Sequence, residues 1–243
     1  MHGVLMALFP STNALQQQKF QYFAYGSNML PGTMASLRNV RPYQACAAVL
    51  PNYRLVFNIA LNPLLEPSAA CIEACSNSRD SNSNTDDIEN RCVVQGVLYE
   101  LSDLDFARVG MTEAVPLVYR WQEISAYPYV GDGENAGRRA LEQASSNLDS
   151  VKAYTLVKTK FLHGEPREEH IPPSSSYLKI LQQGAAYWNM DRLYQVELSK
   201  IKTAKFLLVK DGLAGKLLQA AELFNWPDAS IPCEVGSRKT LRM

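Results

Sequence analysis

The sequence predicts an α+β fold with a closed or strongly curved sheet. Segments with strand character dominate the first two-thirds of the chain, and helical segments dominate the last third. At 243 residues and 47% hydrophobic content, the chain is large enough to bury one substantial core. The run VVQGVLY at 93–99 is the strongest strand signal, rich in β-branched and aromatic residues.

The elements follow in order. Residues 20–29, FQYFAYGSNM, read as a strand that breaks into a tight loop at Gly26-Ser27-Asn28. Asn28 is expected to cap a short helix over 31–38, in which Met34 and Leu37 share a face. Residues 46–59 read as two strands, or one bent at Pro51-Asn52. Residues 69–74 and 93–101 read as strands joined by a polar loop at 76–91, whose Ser, Asn and Asp content cannot build a core. A short helix is expected over 103–110, ended by Gly110. Strands follow at 119–127 and 151–159, around a second polar insertion at 130–150 with a helical turn near 138–143. Helices are expected at 177–188, 193–200 and 213–224. The reading divides the chain into a leader at 1–19, a principal domain at 20–204 and a C-terminal extension at 205–243.

Charge is balanced, with 24 basic and 24 acidic residues. There is no basic excess to favour nucleic acid or an anionic membrane surface, so neither is expected as a partner. No apolar run approaches the ~20 residues of a spanning helix. Residues 4–9 are apolar but follow no Lys or Arg, as a secretory segment would require, and the cytoplasm is the expected compartment. Five cysteines, an odd count in a chain of this length, read as reduced thiols rather than a disulfide framework. Cys71, Cys75 and Cys92 lack the spacing and the fourth ligand of a zinc site. His163 and His170 flank a charged stretch that reads as a solvated loop.

The chemistry is concentrated in Tyr25-Gly26-Ser27-Asn28. A Gly-Ser-Asn turn after a buried strand exposes successive backbone N–H groups, which can hold an anion or an oxyanion. Gly26 lets a ligand approach the main chain. Ser27 and Asn28 add side-chain donors, and Tyr25 a phenol. By composition alone an ordinary strand-to-helix turn is the favoured reading.

YFAYGSNM at 22–29 resembles the signature of the γ-glutamyl cyclotransferase family. The resemblance continues in order through Leu37-Arg38-Asn39, the RLVF strand at 54–57, GVLYEL at 96–101, Thr112-Glu113-Ala114-Val115, Tyr119-Arg120 and PSSSYLKI at 173–180. It implies a small mixed β-barrel with flanking helices, here carrying the polar loop insertions and the C-terminal extension. It also implies that Glu113 is the acid/base and that Tyr177 lies near the substrate. The family turn has Gly after its glutamate where this chain has Ala114. Arg38 and Arg120 are expected either to hold a substrate carboxylate or to brace the barrel, with bracing preferred.

The implied reaction needs no metal and no cofactor. A carboxylate deprotonates the α-amine of a γ-glutamyl amide, and the amine closes on the δ-carbonyl of the same molecule. 5-oxoproline and a free amine or peptide are released. The apolar neighbours Val109, Met111, Val115, Pro116 and Leu117 are expected to raise the Glu113 pKa by desolvation. γ-Glutamyl amino acids, glutathione and a glutathione-derived conjugate are the candidate substrates, the last as in family members of fungal secondary metabolism. Two alternatives stay open: a binding module that keeps the fold without turnover, and a biosynthetic enzyme that strips a γ-glutamyl group from a larger amine. The extension is left open between capping the barrel, mediating a homodimer and neither.

Overall fold

The computed structural model describes residues 18–75, 92–144, 150–159 and 170–205. Expectations for 1–17, 76–91, 145–149, 160–169 and 206–243, including the loop at His163 and the helix at 213–224, lie outside the described residues.

Among the described residues, seven strands run in chain order: β1 Lys19–Ala24, β2 Gln44–Pro51, β3 Tyr53–Asn62, β4 Glu66–Ala74, β5 Val93–Ser102, β6 Tyr119–Tyr129 and β7 Val151–Lys158. Five of them close a barrel in the order β1-β5-β2-β6-β7. Four junctions are antiparallel, and the closing one, β1 with β7, is parallel. The fold is therefore the small mixed barrel that the resemblance implied. β3 and β4 form a separate antiparallel hairpin. The bend at Pro51-Asn52 thus divides two strands of different sheets, and Asn52 turns there at φ 65°.

β5 has neighbours on both edges and is buried along almost its whole length. That explains why it reads as a continuous apolar run rather than an alternating one. Gly96 sits at its centre, opposite Ala48 of β2. A Cβ at Gly96 would lie 2.3 Å from the Ala24 carbonyl oxygen and 2.7 Å from the Phe23 ring. The barrel packs β1 against β5 too closely for any side chain at this position.

Five helices lie among the described residues: α1 Pro31–Leu37, α2 Asp103–Thr112, α3 Ala136–Ala144, α4 Ser175–Tyr187 and α5 Arg192–Lys200. Pro31 opens α1, where its missing N–H is not needed. Asn28 does not cap that helix; Leu30 holds the cap position without a side-chain bond. α2 does not end at Gly110. A Cβ there would meet the Trp121 indole at 3.4 Å, an ordinary contact. The left-handed residue that ends the helix is Ala114, at φ 54°.

α3 is longer than the single turn expected within a polar insertion. Its first amides find acceptors in two carboxylates. Asp132 accepts from Glu134, Asn135 and Ala136. Buried Asp191 accepts from Gly137 at 2.8 Å and Arg138 at 2.9 Å. Asp191 lies 53 and 54 residues away from these donors, which a local reading does not detect.

Reduced thiols were expected, but Cys75 and Cys92 form a disulfide. The topology explains the meeting. Tyr53 pairs with Ala74 and Pro51 with Val93, so the end of β4 and the start of β5 converge on the β2–β3 bend. Cys71 is a free, buried thiol whose sulfur accepts the Lys158 N–H. Among the described residues, no group of three His, Cys, Asp or Glu is placed to hold a metal, and no helix is long and apolar enough to cross a membrane.

Candidate active site

β1 delivers the Gly26-Ser27-Asn28 loop to one mouth of the barrel. There Ser27–Met29 form a single 3-10 turn. Its first bonds are those donated by Met29 to the Gly26 carbonyl and by Leu30 to the Ser27 carbonyl. The amides of Gly26, Ser27 and Asn28 precede those bonds and have no intrahelical partner. Buried donors fix the turn from behind: the Tyr99 hydroxyl bonds the Asn28 carbonyl at 2.9 Å, and the Trp188 indole N–H bonds the Met29 carbonyl at 2.8 Å.

Glu113 arrives from the end of α2. Ser102 caps the start of that helix by accepting the Asp105 N–H. Phe106 is sandwiched between Phe20 and Trp121, with ring centroids at 4.5 Å and 4.3 Å. The Glu113 N–H closes onto the Val109 carbonyl at 3.0 Å, and Ala114 then reverses the chain. A left-handed conformation in a residue with a Cβ costs on the order of 1 kcal/mol. The backbone geometry that favours Gly in the family turn is therefore retained here with Ala.

One cleft of about 290 Å³, counted with its open mouth, is lined by Tyr25, Gly26, Ser27, Asn28, Glu113 and Tyr177, all singled out in the sequence. Tyr22, Ala70, Tyr119 and Leu156 complete the wall. Gly26 faces the Tyr177 hydroxyl, which would lie 3.4 Å from a Cβ at that position.

Asn28 is buried, and its side chain joins three groups. Its amide nitrogen donates to Glu113 Oε1 at 2.8 Å and to the Tyr22 hydroxyl at 2.9 Å. Its amide oxygen accepts from Arg38 Nε at 3.1 Å. Arg38 also donates from Nη2 to Glu113 Oε1 at 2.5 Å and from Nη1 to the Thr112 carbonyl at 3.1 Å. Arg120 lies apart, exposed on β6 and bonded to Gln122.

Burial pushes the Glu113 carboxyl above the ordinary carboxylate range, against the pull of the Arg38 guanidinium and the Asn28 amide. The direction is the expected one. Of the neighbours expected to supply it, Val109 is buried and Val115 half-buried, whereas Met111, Pro116 and Leu117 are exposed. The phenols of Tyr22, Tyr119 and Tyr177, from three other elements, enclose the carboxyl side of the cleft.

The four cleft tyrosines fall into two groups. Tyr25 donates its hydroxyl hydrogen to the Leu156 carbonyl at 2.5 Å, and Tyr119 donates to the Ala70 carbonyl at 2.8 Å. Tyr25 thus lines the cleft with its ring, while its hydroxyl is committed elsewhere. Tyr22 accepts from Asn28, and Tyr177 accepts from the Ala70 N–H at 3.2 Å. The hydroxyl hydrogens of these two have no acceptor among the described residues. Desolvation raises all four phenol pKa values, which keeps the hydroxyls protonated as donors. Sequence reading missed Tyr22 and Tyr119. Tyr22 stands inside the YFAYGSNM block, where alternation from Phe23 would have turned it towards the same face as Ala24.

Tyr177 is held through the start of α4. Ser174 caps that helix by accepting the Tyr177 N–H at 3.0 Å. Ser174 in turn donates both its N–H, at 2.9 Å, and its hydroxyl to the buried Glu66 carboxylate on β4.

No family model matches the chain. Among curated proteins, it is 32% identical over 125 residues to γ-glutamyl cyclotransferase verK of Clonostachys rogersoniana, covering 50% of this chain and 69% of that protein. It is 25% identical over 197 residues to γ-glutamyl cyclotransferase gliK of Claviceps purpurea, covering 81% and 75%. Among solved structures, a γ-glutamyl cyclotransferase superposes with a TM-score of 0.58 at 18% identity, over 84% of this chain and 99% of that one. The human protein loc79017, described as uncharacterized, superposes at 0.59 and 19% identity, over 85% and 99%. The structures share the barrel, the verK match covers more than two-thirds of that relative, and the ordered motifs converge on one cleft: the chain belongs to the γ-glutamyl cyclotransferase family.

Proposed function

We propose that the protein is a γ-glutamyl cyclotransferase that releases 5-oxoproline from a γ-glutamyl amide, with Glu113 as its acid/base. The observation that carries this reading is a half-buried carboxylate in one cleft with loop amides that have no partner among the described residues. Family membership supports the same reaction.

The α-amine of the substrate is mostly an ammonium at neutral pH and cannot attack. Glu113 takes one proton from it. The freed lone pair forms the ring C–N bond at the δ-carbonyl, and the carbonyl electrons move onto oxygen. The amides of Gly26, Ser27 and Asn28 hold substrate oxygen, with the Tyr22 and Tyr177 hydroxyls as further donors. When the carbonyl re-forms, the bond to the leaving nitrogen breaks, and Glu113 returns its proton to that nitrogen. The ring nitrogen sheds a second proton, which ends on the released amine, and Glu113 is regenerated as a carboxylate. Because amine and carbonyl belong to one molecule, a cleft that holds the substrate folded supplies the proximity.

The test is mass-spectrometric detection of 5-oxoproline from purified protein. The panel comprises γ-glutamyl amino acids, glutathione and a glutathione S-conjugate, and the preferred leaving group identifies the substrate class. A folded protein that yields no 5-oxoproline from any of them sinks this reading in favour of a binding module. Within the same assay, Tyr177→Phe is expected to lower kcat/KM about tenfold, the effect of losing one neutral donor worth roughly 1–1.5 kcal/mol. Tyr25→Phe, whose hydroxyl serves Leu156, is expected to change the melting temperature more than turnover.

A further inference from the structure

The two oxygens of the Glu113 carboxyl are not equivalent. Arg38 and Asn28 both donate to Oε1, at 2.5 Å and 2.8 Å. Oε2 has no hydrogen-bond donor among the described residues, and Glu113 lines the cleft. The arrangement is built rather than incidental. Arg38 uses all three of its nitrogens, on Glu113, on Asn28 Oδ1 and on the carbonyl of Thr112, the residue before Glu113. Its side chain is only 15% exposed, equal to that of Glu113. Arg38 does not line the cleft. It stands behind the carboxylate, away from where a substrate would lie.

We propose, on the reading of Glu113 as the acid/base, that Arg38 is its positioning residue: it occupies Oε1 and leaves Oε2 as the oxygen that takes and returns the substrate proton.

Two consequences follow from the geometry. The carboxyl cannot flip its oxygens without breaking two hydrogen bonds, so the proton is exchanged at one fixed point facing the amine. In addition, a cation 2.5 Å from a desolvated carboxylate favours its ionised form, which the first step requires. The other groups facing this carboxyl are neutral at working pH: the phenols of Tyr22 on β1, Tyr119 on β6 and Tyr177 on α4, and the Asn28 amide. Arg38 is therefore the one charge among them that opposes the desolvation of Glu113. This redefines the bracing role expected for Arg38: it braces the base, not the barrel.

The experiment compares wild type, Arg38→Gln and Arg38→Lys by two measurements. One is the pH profile of kcat/KM. The other is the titration of the Glu113 carboxyl carbon by NMR in the free protein, which does not depend on turnover. Removing the charge is expected to move the acid limb and the NMR midpoint up by about one pH unit or more. It is also expected to lower kcat at neutral pH at least tenfold. Arg38→Lys restores the charge but not the fork to Asn28 and Thr112. It is expected to return the midpoint most of the way while kcat stays depressed. If both folded variants keep the wild-type midpoint, the proposal is overturned, whatever happens to the rate. Should Arg38→Gln fail to fold, Arg38→Lys decides: wild-type kcat overturns the proposal, and depressed kcat with an unmoved KM supports it. A wild type that makes no 5-oxoproline removes the assignment of the reaction, while NMR still decides whether Arg38 governs the carboxyl.

Discussion

Glu113→Gln is expected to reduce 5-oxoproline formation by 10²–10⁴-fold or more, the usual range for a lost general acid–base group. Substrate affinity should change little. Both Arg38 and Asn28 donate to Oε1, so the glutamine keeps its carbonyl oxygen there. Its –NH2 then replaces Oε2 in the cleft, where it can accept no proton. The variant is thereby locked in an inactive state without a change of packing, and its binding can be measured calorimetrically with an intact γ-glutamyl amide. The wild-type pH profile should agree. Activity is lost as pH falls through the Glu113 pKa, because the protonated acid cannot deprotonate the ammonium. Burial raises that pKa, so the acid limb should lie above the ordinary carboxylate range. Equal product from wild type and variant would keep the reaction and remove Glu113 from its role.

The largest expected effect on stability is that of Gly96→Ala. The new methyl would meet a carbonyl oxygen at 2.3 Å and a buried ring at 2.7 Å, and the oxygen belongs to the backbone of the neighbouring strand. Rotamer change cannot relieve a contact of that kind, so β1 and β5 must separate. Overpacking at this severity is expected to destabilise the fold by about 3 kcal/mol. For a domain of this size that is a fall in melting temperature of roughly 6–12 °C. The displaced oxygen is that of Ala24, and the chain enters Tyr25-Gly26 directly after it. Turnover by the folded fraction should therefore fall too, even though Gly96 lines no part of the cleft. A calorimetric melt that matches wild type would contradict the strand spacing described here.

The parts of the site legible in the sequence were those carried by contiguous residues. Tyr25 to Asn28 form one loop, and Glu113 stands in one turn, so a resemblance could identify each. What the sequence hid was made by barrel closure. Arg38 and Glu113 are 75 residues apart, and nothing local in either segment indicates that they pair. The desolvation of Glu113 was expected from Val109, Met111, Val115, Pro116 and Leu117, of which only Val109 and Val115 turn inward. The side chains that enclose the carboxyl come from β1, β6 and α4. The disulfide was missed for a related reason. An odd number of cysteines constrains the total, whereas the meeting of Cys75 and Cys92 depends on where two strands end. Gly110 was misread because the helix continues through it to Thr112 and the left-handed turn falls on Ala114.

The backbone of Ala70 links two walls of the cleft, its N–H serving Tyr177 and its C=O serving Tyr119. A peptide group is present whatever side chain the gene encodes, and proline alone would delete its N–H. The two hydrogen bonds themselves thus do not depend on the Ala70 side chain, which is buried in the cleft wall. Diversification of the cleft, by natural drift or by a mutant library, can then vary the rings and the loop around them while their shared hinge point stays in place.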